Sequence, residues 1–364
     1  MPSKLKKIFF TCIFLLSFVL CFAAGKDTTR NDHKTKKLDV RLVPVISFAP
    51  ETRFLFGIGV LTPFKLSYDS ITKPSLISCF VAYSQNKQDY LYIPYQFFTK
   101  HNNFYIEGEV NYYNYSYYYW GIGENSVPKE LYNVLFLKLF ANTYRKILPH
   151  FYLGLDYYFE HDMMRGTKPG GELASGSVLG SNGGFIAGGG PDLLYDTRDS
   201  IFFPRHGWFI KATSYFNFTQ LGSSWQFGRF VSDISWYHQL ARPIVLAINQ
   251  HNQFSWGTVP FNQLALIGGT KQIRGYYMGY YRDDALTYLQ AETRINLIGR
   301  VGFDVFGTMA FFGNYQKFPE SPAPVFAEGI GLRYNYEKKQ HINVRADVGY
   351  GNTLEYYLTI QEAF

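Results

Sequence analysis

The sequence predicts an all-β fold, a transmembrane antiparallel β-barrel of about 16 strands. Three observations support this class. The chain contains 31 Tyr and 34 Phe among 364 residues, yet its mean hydropathy is only -0.14. Beyond residue 24, no apolar run approaches the roughly 20 residues that a membrane helix needs. Apolar residues instead recur at every second position, as in barrel strands that show alternate residues to lipid and to a polar lumen.

Residues 1–24 have the form of a secretory signal peptide. Lysines at three of the first seven positions precede an apolar run over residues 8–22, and the small pair Ala23-Ala24 fits a cleavage site. A membrane-anchoring helix is the alternative, although the run is shorter than a membrane span requires. Export followed by a barrel fold predicts an integral, multi-pass protein of the outer membrane of a Gram-negative bacterium.

Residues 25–39 form a polar, charged lead segment, and residues 40–364 form a single transmembrane barrel domain. The formal net charge of +7 is concentrated before residue 40, where the signal contributes +3 and the lead segment +2. The barrel itself is therefore almost neutral, and nothing in it indicates a nucleic-acid partner. Outer-membrane lipid is the partner that we expect from the fold class.

Period-two alternation runs along the predicted domain. In Phe104–Tyr112, apolar residues such as Ile106 and Val110 alternate with Glu107 and Glu109, which a helix would not segregate onto two faces. The same alternation recurs in Tyr152–Phe159, Trp208–Phe218 and Asn343–Tyr350. Turn signals separate the strands at Gly121–Pro128, Arg165–Pro191, Leu221–Ser224 and Phe318–Pro324. A spacing of about 20 residues per strand and connection gives about 16 strands.

Two alternatives compete with a barrel that carries no catalytic site. A soluble β-sandwich would have to leave more aromatic surface exposed than a monomer usually shows. A lumenal hydrolase would need Ser, His and acidic side chains at one place, but His161, His206, His238 and His251 are scattered and no Gly-x-Ser-x-Gly elbow occurs. We therefore expect no enzyme, no cofactor and no metal. Cys79 is the single cysteine beyond residue 24, which excludes an intramolecular disulfide.

Four segments carry more specific signals. The first, Gly188–Trp208, contains Asp196, Arg198, Asp199, Pro204 and Gly207. The second, Leu266–Gly279, contains Ile273, Arg274, Gly275 and Tyr276, and the third, Tyr288–Leu297, contains Glu292. The fourth is the C-terminal strand with Tyr356, Leu358, Ile360 and Phe364. In this order, the segments resemble the BamA/TamA family, the bacterial surface-antigen barrels. The resemblance extends over nearly the whole chain after the signal.

The resemblance implies roles for these residues. Gly188–Trp208 is similar to the family's Asp-Thr-Arg-Asp strand followed by a Pro-x-x-Gly turn. The segment around Arg274 is similar to the family's Arg-Gly-aromatic surface loop, which folds inward into the lumen, where Glu292 on the next strand meets the arginine. Physical chemistry supports this pair, because a guanidinium inside a barrel must find an acceptor. Thr308 stands where the family often has Asp, which leaves a second acidic partner of Arg274 unidentified.

The resemblance also implies a function in outer-membrane biogenesis, or in the translocation or insertion of protein or lipid. The seam between the first strand and Tyr356–Phe364 would be the place of opening. Most family members carry POTRA domains, for which the residues before Val40 leave no room. We therefore expect a member without POTRA domains and a periplasmic or outer-membrane partner that supplies their function. A passive diffusion pore or a structural outer-membrane protein is the alternative, and a steady open conductance would favour it.

Overall fold

The computed structural model describes residues 40–49, 53–67, 69–123, 125–320, 323–337, 341–360 and 362–364. The predicted signal peptide (residues 1–24) and polar lead (residues 25–39) lie outside the described residues.

Sixteen strands form one antiparallel sheet in which each strand pairs with its neighbours in the chain. The strands are β1 (Arg41–Ala49), β2 (Arg53–Phe64), β3 (Ser75–Ser84), β4 (Asp89–Phe98), β5 (Phe104–Ile122), β6 (Asn125–Leu148), β7 (Phe151–Gly166), β8 (Gly184–Asp196), β9 (Gly207–Asn217), β10 (Phe227–Ala241), β11 (Ile244–Gly257), β12 (Ala265–Leu266), β13 (Arg282–Asp283), β14 (Ala285–Ile298), β15 (Val301–Gly313), β16 (Val325–Glu337), β17 (Ile342–Tyr350) and β18 (Leu354–Ile360). The two-residue strands β12 and β13 pair with each other, so β14 follows β11 in the large sheet. The predicted strand number and all-β class are confirmed.

Helical structure in the described residues is confined to short 3₁₀ turns. They are Lys100–Asn102, Leu173–Ser175, Thr219–Leu221, Phe261–Gln263 and Tyr315–Glu320. None of the helices in the described part of the chain has the length and apolar character needed to cross a membrane.

The strands place polar residues inside and apolar residues outside. On β14, Gln290, Glu292 and Arg294 are buried, whereas Leu289, directly before Gln290, is 47% exposed. Tyr350, Tyr356 and Leu358 are likewise exposed on β17 and β18. A soluble β-sandwich would place its apolar residues inside, so this inverted alternation is typical of a barrel whose outer surface meets lipid.

The two ends of the sheet differ in the length of their connections. At the end where β1 starts and β18 finishes, three hairpins turn through two residues each, at 149–150, 242–243 and 299–300. We call this the turn end. At the opposite end, the loop end, residues 167–183 and 258–284 form long connections. Outer-membrane barrels have this asymmetry, with short turns in the periplasm and long loops outside the cell.

One predicted turn region proves to be partly strand. The sequence prediction placed Arg165–Pro191 in a loop, but β8 begins at Gly184 and runs through the glycines at 188, 189 and 190. A Cβ on Gly190 would overlap the carbonyl oxygen of Ser214 on β9, and a Cβ on Gly188 would overlap that of Phe216. The glycines therefore permit a close approach of two strands, which a local turn signal does not distinguish from a loop.

In the residues that the structure describes, the first strand β1 and the last strand β18 are neighbours without a register, and we call the place between them the seam. The sheet order begins with β1 and ends with β18, and Cα atoms of the two strands approach within 8 Å. No backbone ladder joins the two strands within the residues that the structure describes. β18 is held on its other side by β17, from Val344↔Ile360 to Tyr350↔Leu354.

Candidate functional site

The connection between β11 and β14 folds into the lumen, as predicted. We call residues 264–284 of this connection the inward loop. Its neck is closed by backbone hydrogen bonds from the Ile267 amide to the Tyr281 carbonyl (2.9 Å) and from the Gly279 amide to the Ile267 carbonyl (2.8 Å). The short β12–β13 pair continues this closure toward the strands.

Apolar side chains fix the inward loop against the barrel wall. Ile273 is 0% exposed and Tyr276 is 6% exposed. Both pack in a buried cluster with Leu286 and Tyr288 of β14 and Phe312 of β15. Burial of large apolar side chains of this kind stabilises a contact by about 1.5–3 kcal/mol each. The loop therefore has its own core, independent of its charges.

The tip of the inward loop requires a glycine. Gly275 has φ of 122°, and a Cβ at this position would lie 2.5 Å from the carbonyl carbon of Tyr350 and 2.7 Å from the amide nitrogen of Gly351. The Gly275 amide donates a hydrogen bond to the hydroxyl of Tyr357 on β18 (2.9 Å). The Tyr357 hydroxyl donates in turn to the carbonyl of Tyr276 (3.3 Å). The loop backbone thus rests directly on the last two strands.

Arg274 extends from this tip into a dry, acidic pocket. Its Nη2 lies 2.5 Å from Oε2 of Glu292, and its Nη1 lies 2.7 Å from Oδ2 of Asp347. The guanidinium carbon lies 3.5 Å from the ring centroid of Phe306. Arg274 is 1% exposed, so two carboxylates and an aromatic face replace its hydration shell. Asp347 is therefore the second acidic partner of Arg274. The sequence analysis did not identify this partner, because Thr308 stands where the family often has Asp.

Arg274 is one member of a larger group that we call the lumen ion cluster. Four arginines and four carboxylates form it, so its formal charges balance: Arg274, Arg294, Arg333, Arg345, Glu292, Asp304, Asp347 and Glu362. Arg333 is the centre, with nitrogens 2.6 Å from Asp347, 2.7 Å from Asp304 and 3.0 Å from Glu362. All eight side chains are buried. Charges are tolerated inside a protein when they are paired in this way.

Sequence reasoning identified only two of these residues, Arg274 and Glu292. Five of the others occupy interior positions in the alternation of β14 to β17, with Arg294 two residues after Glu292 and Arg345 two residues before Asp347, whereas Glu362 lies beyond the end of β18. That alternation could have shown that they face the lumen. It could not show that four strands and a loop bring them within contact, because the contacts depend on the registers between strands.

The C-terminal residues turn into the lumen, and this corrects a prediction. Tyr356 and Leu358 face outward on β18, but the strand ends at Ile360, so Phe364 does not continue the C-terminal strand. Glu362 instead accepts hydrogen bonds from Arg333 Nε (3.0 Å) and from Asn343 Nδ2 (2.7 Å). Arg294 Nη2 donates to the main-chain oxygen of Phe364 (2.8 Å). The contacts of the Glu362 carboxylate with Arg333 and Asn343 therefore outweigh the tendency of the alternating sequence to continue as a strand.

The motif Asp196, Arg198, Asp199, Pro204 and Gly207 forms the β8–β9 connection at the turn end. Asp196 ends β8 and Gly207 begins β9, but Arg198 and Asp199 lie outside both strands, so the predicted strand through Asp199 is wrong. Asp196 binds Arg198 at 2.9 Å. Asp199 accepts hydrogen bonds from two backbone amides of the turn, at 2.9 and 3.2 Å, which bends the chain out of a strand. Pro204 is buried, and Gly207, with φ of 106°, starts β9.

The sequence matches the Omp85 superfamily domain over residues 97–351. The fold is similar to that of BamA from Haemophilus ducreyi lacking POTRA domains 1-3, with 13% identity and a TM-score of 0.62, over 96% of this chain and 78% of that chain. CdiB from Acinetobacter baumannii (13% identity, TM-score 0.55) is matched over 86% of this chain and 56% of that chain. CdiB from Escherichia coli (9% identity, TM-score 0.58) is matched over 88% and 61%. The chain thus spans less than two thirds of either CdiB. A search of curated proteins gives no match.

Proposed function

Because the chain belongs to the Omp85 superfamily and is an outer-membrane β-barrel, we propose that it translocates or inserts protein or lipid at that membrane. In this proposal the inward loop closes the lumen, and the seam between β1 and β18 is the place of opening. A periplasmic or outer-membrane partner delivers the client to the turn end. The lumen ion cluster is the observation that carries the proposal.

The lumen ion cluster joins three parts of the molecule that such a function would coordinate. Arg274 brings in the inward loop, β14 to β17 supply the wall, and Glu362 adds the residues after β18. Tyr357 also binds the loop tip from β18 itself. The loop, this wall and one side of the seam therefore form a single unit. The other side, β1, has no ladder to it among the described residues.

The test is single-channel conductance of the purified barrel in planar bilayers. The parent is compared with Arg274→Ala, which removes the side chain that ties the loop to Glu292 and Asp347. Lys138→Ala is the matched control, because Lys138 is a lumen cation on the opposite wall, where its ion-pair partner is Glu109 of the adjacent strand (2.8 Å) and not a member of the lumen ion cluster.

We expect the parent and Lys138→Ala to stay mostly closed and Arg274→Ala to open or flicker. Truncating one member of a buried charge network leaves its partners uncompensated, which drives the loop from its pocket. A steady, large pore of equal conductance in the parent and in Arg274→Ala would remove the gating role of the loop. A passive diffusion pore would then be the better description of the protein.

A further inference from the structure

A cavity of about 460 Å³ lies at the turn end, and Arg333 is a lining residue that it shares with the lumen ion cluster. It is formed by the β8–β9 connection, the β14–β15 hairpin and the ends of β16 and β17 that approach them. Phe203 and His341 close one side, with their ring centroids 6.4 Å apart. The neighbouring wall comes from residues 296–302.

The polar lining of this cavity is cationic. Arg205, Arg300 and Arg333 line it together with the His341 ring and the side-chain amides of Asn296, Asn335 and Asn343, and none of the described residues that line it is acidic. Arg333 is already engaged by the lumen ion cluster. Arg205 and Arg300 are different, because neither has an ion pair among the residues that the structure describes, and Arg300 Nη1 reaches only the carbonyl of Tyr336 (3.3 Å). Two guanidinium groups are thus available to an anion.

The same cavity has an apolar edge that faces outward. Leu297 is 57% exposed, Ile298 is 84% exposed and Val301 is 46% exposed, and all three line the cavity. They lie at the β14–β15 hairpin, where the outward apolar face of the barrel meets the turn end. A cationic interior beside exposed aliphatic side chains at this level matches an amphipathic ligand better than a small soluble anion.

We propose that this cavity binds the headgroup of an anionic phospholipid from the leaflet at the turn end. Arg205 and Arg300 contact the phosphate, for which a guanidinium offers paired donors in a matching geometry. The side-chain amides of Asn296 and Asn335 hydrogen-bond the glycerol and headgroup oxygens. Leu297 and Ile298 lie along the start of the acyl chains. This site does not depend on the proposed role in translocation.

The experiment is native mass spectrometry of the full barrel in detergent micelles with phosphatidylglycerol added. The parent is compared with the double variant Arg205→Ala/Arg300→Ala. The matched control is Arg242→Ala, which removes an exposed arginine from the β10–β11 turn at the same end, outside the cavity. We expect the parent and the control to retain one phosphatidylglycerol per barrel and the double variant to bind it about tenfold more weakly.

A second comparison distinguishes binding of a lipid headgroup from binding of free inorganic phosphate. Ile298→Ser reduces phosphatidylglycerol binding when the acyl chains contribute, and it leaves competition by inorganic phosphate unchanged. Equal retention of phosphatidylglycerol in the parent, the control and the double variant would overturn the site. Binding of inorganic phosphate that depends on Arg205 and Arg300, with no retained phosphatidylglycerol, would overturn the lipid assignment. A far-ultraviolet circular dichroism spectrum and heat-modified gel mobility establish that each variant is folded.

Discussion

The two walls of the barrel hold their charges under different conditions. On the β14–β18 wall, Arg274 and Glu292 are 2.5 Å apart with side-chain exposures of 1% and 0%. On the β5–β9 wall, Lys211 and Glu107 are 2.6 Å apart with exposures of 21% and 28%. The distances are nearly equal, so the surroundings and not the contact geometry distinguish the two pairs.

The inward loop explains the difference between the walls. It covers the β14–β18 wall and excludes solvent from the lumen ion cluster, which raises the strength of every charge interaction there. On the β5–β9 wall, Lys211 and Glu107 are only partly buried, so solvent screens their ion pair. Loss of one member of a buried ion network strongly lowers the free energy of unfolding, whereas loss of one member of a solvent-screened pair changes it little. The walls should therefore respond differently to the loss of one cation.

The largest expected effect is that of Arg274→Ala on stability. The substitution leaves Glu292 and Asp347 without their shared cation in a solvent-excluded site, so we expect a loss of about 3–5 kcal/mol in the free energy of unfolding. The measurement is urea unfolding of the barrel in lipid vesicles, followed by tryptophan fluorescence. A loss below 1 kcal/mol would show that water reaches the cluster and that the contrast between the walls is wrong.

A smaller effect is expected from Gly275→Ala, which tests the loop cover without changing any charge. The new methyl group would meet the backbone of Tyr350 and Gly351, and the residue would be held at a positive φ. We expect a loss of about 2–3 kcal/mol. Lys271 is in contact with solvent inside the lumen, and release of the loop should let trypsin reach it, which is measured as a cleavage product on a gel.

Gly299→Ala is the control for Gly275→Ala. Gly299 also has a positive φ, 62°, but no atom lies within 4 Å of a Cβ built at this position. It reports the conformational penalty alone, about 1 kcal/mol. If Gly275→Ala and Gly299→Ala lower the free energy of unfolding equally and are cleaved equally by trypsin, the close packing of the loop tip on β17 and β18 does not contribute to stability.

Features that follow from strand periodicity or from a recognisable motif could be predicted from the sequence. Period-two alternation and the spacing of the strands predicted a barrel of about 16 strands, and the family resemblance of the motif around Arg274 implied an inward loop with Glu292 as its partner. Asp347 escaped prediction because it reaches Arg274 across a separation of 73 residues, through strand registers that no local pattern encodes. Phe364 was assigned wrongly because the ion pair of Glu362 with Arg333 overrides the alternation of the last strand.

The smallest effect is expected from Lys211→Ala on the β5–β9 wall. Lys211 loses its pair with Glu107, but both side chains keep contact with solvent, so the free energy of unfolding should fall by only about 0.2–1 kcal/mol. The difference from the parent should shrink further in 1 M salt, where the screening length is roughly 3 Å. Urea unfolding in vesicles at low and high salt measures both quantities. A loss as large as that of Arg274→Ala, unchanged by salt, would mean that this wall is as dry as the other, and the inward loop would no longer account for the difference between them.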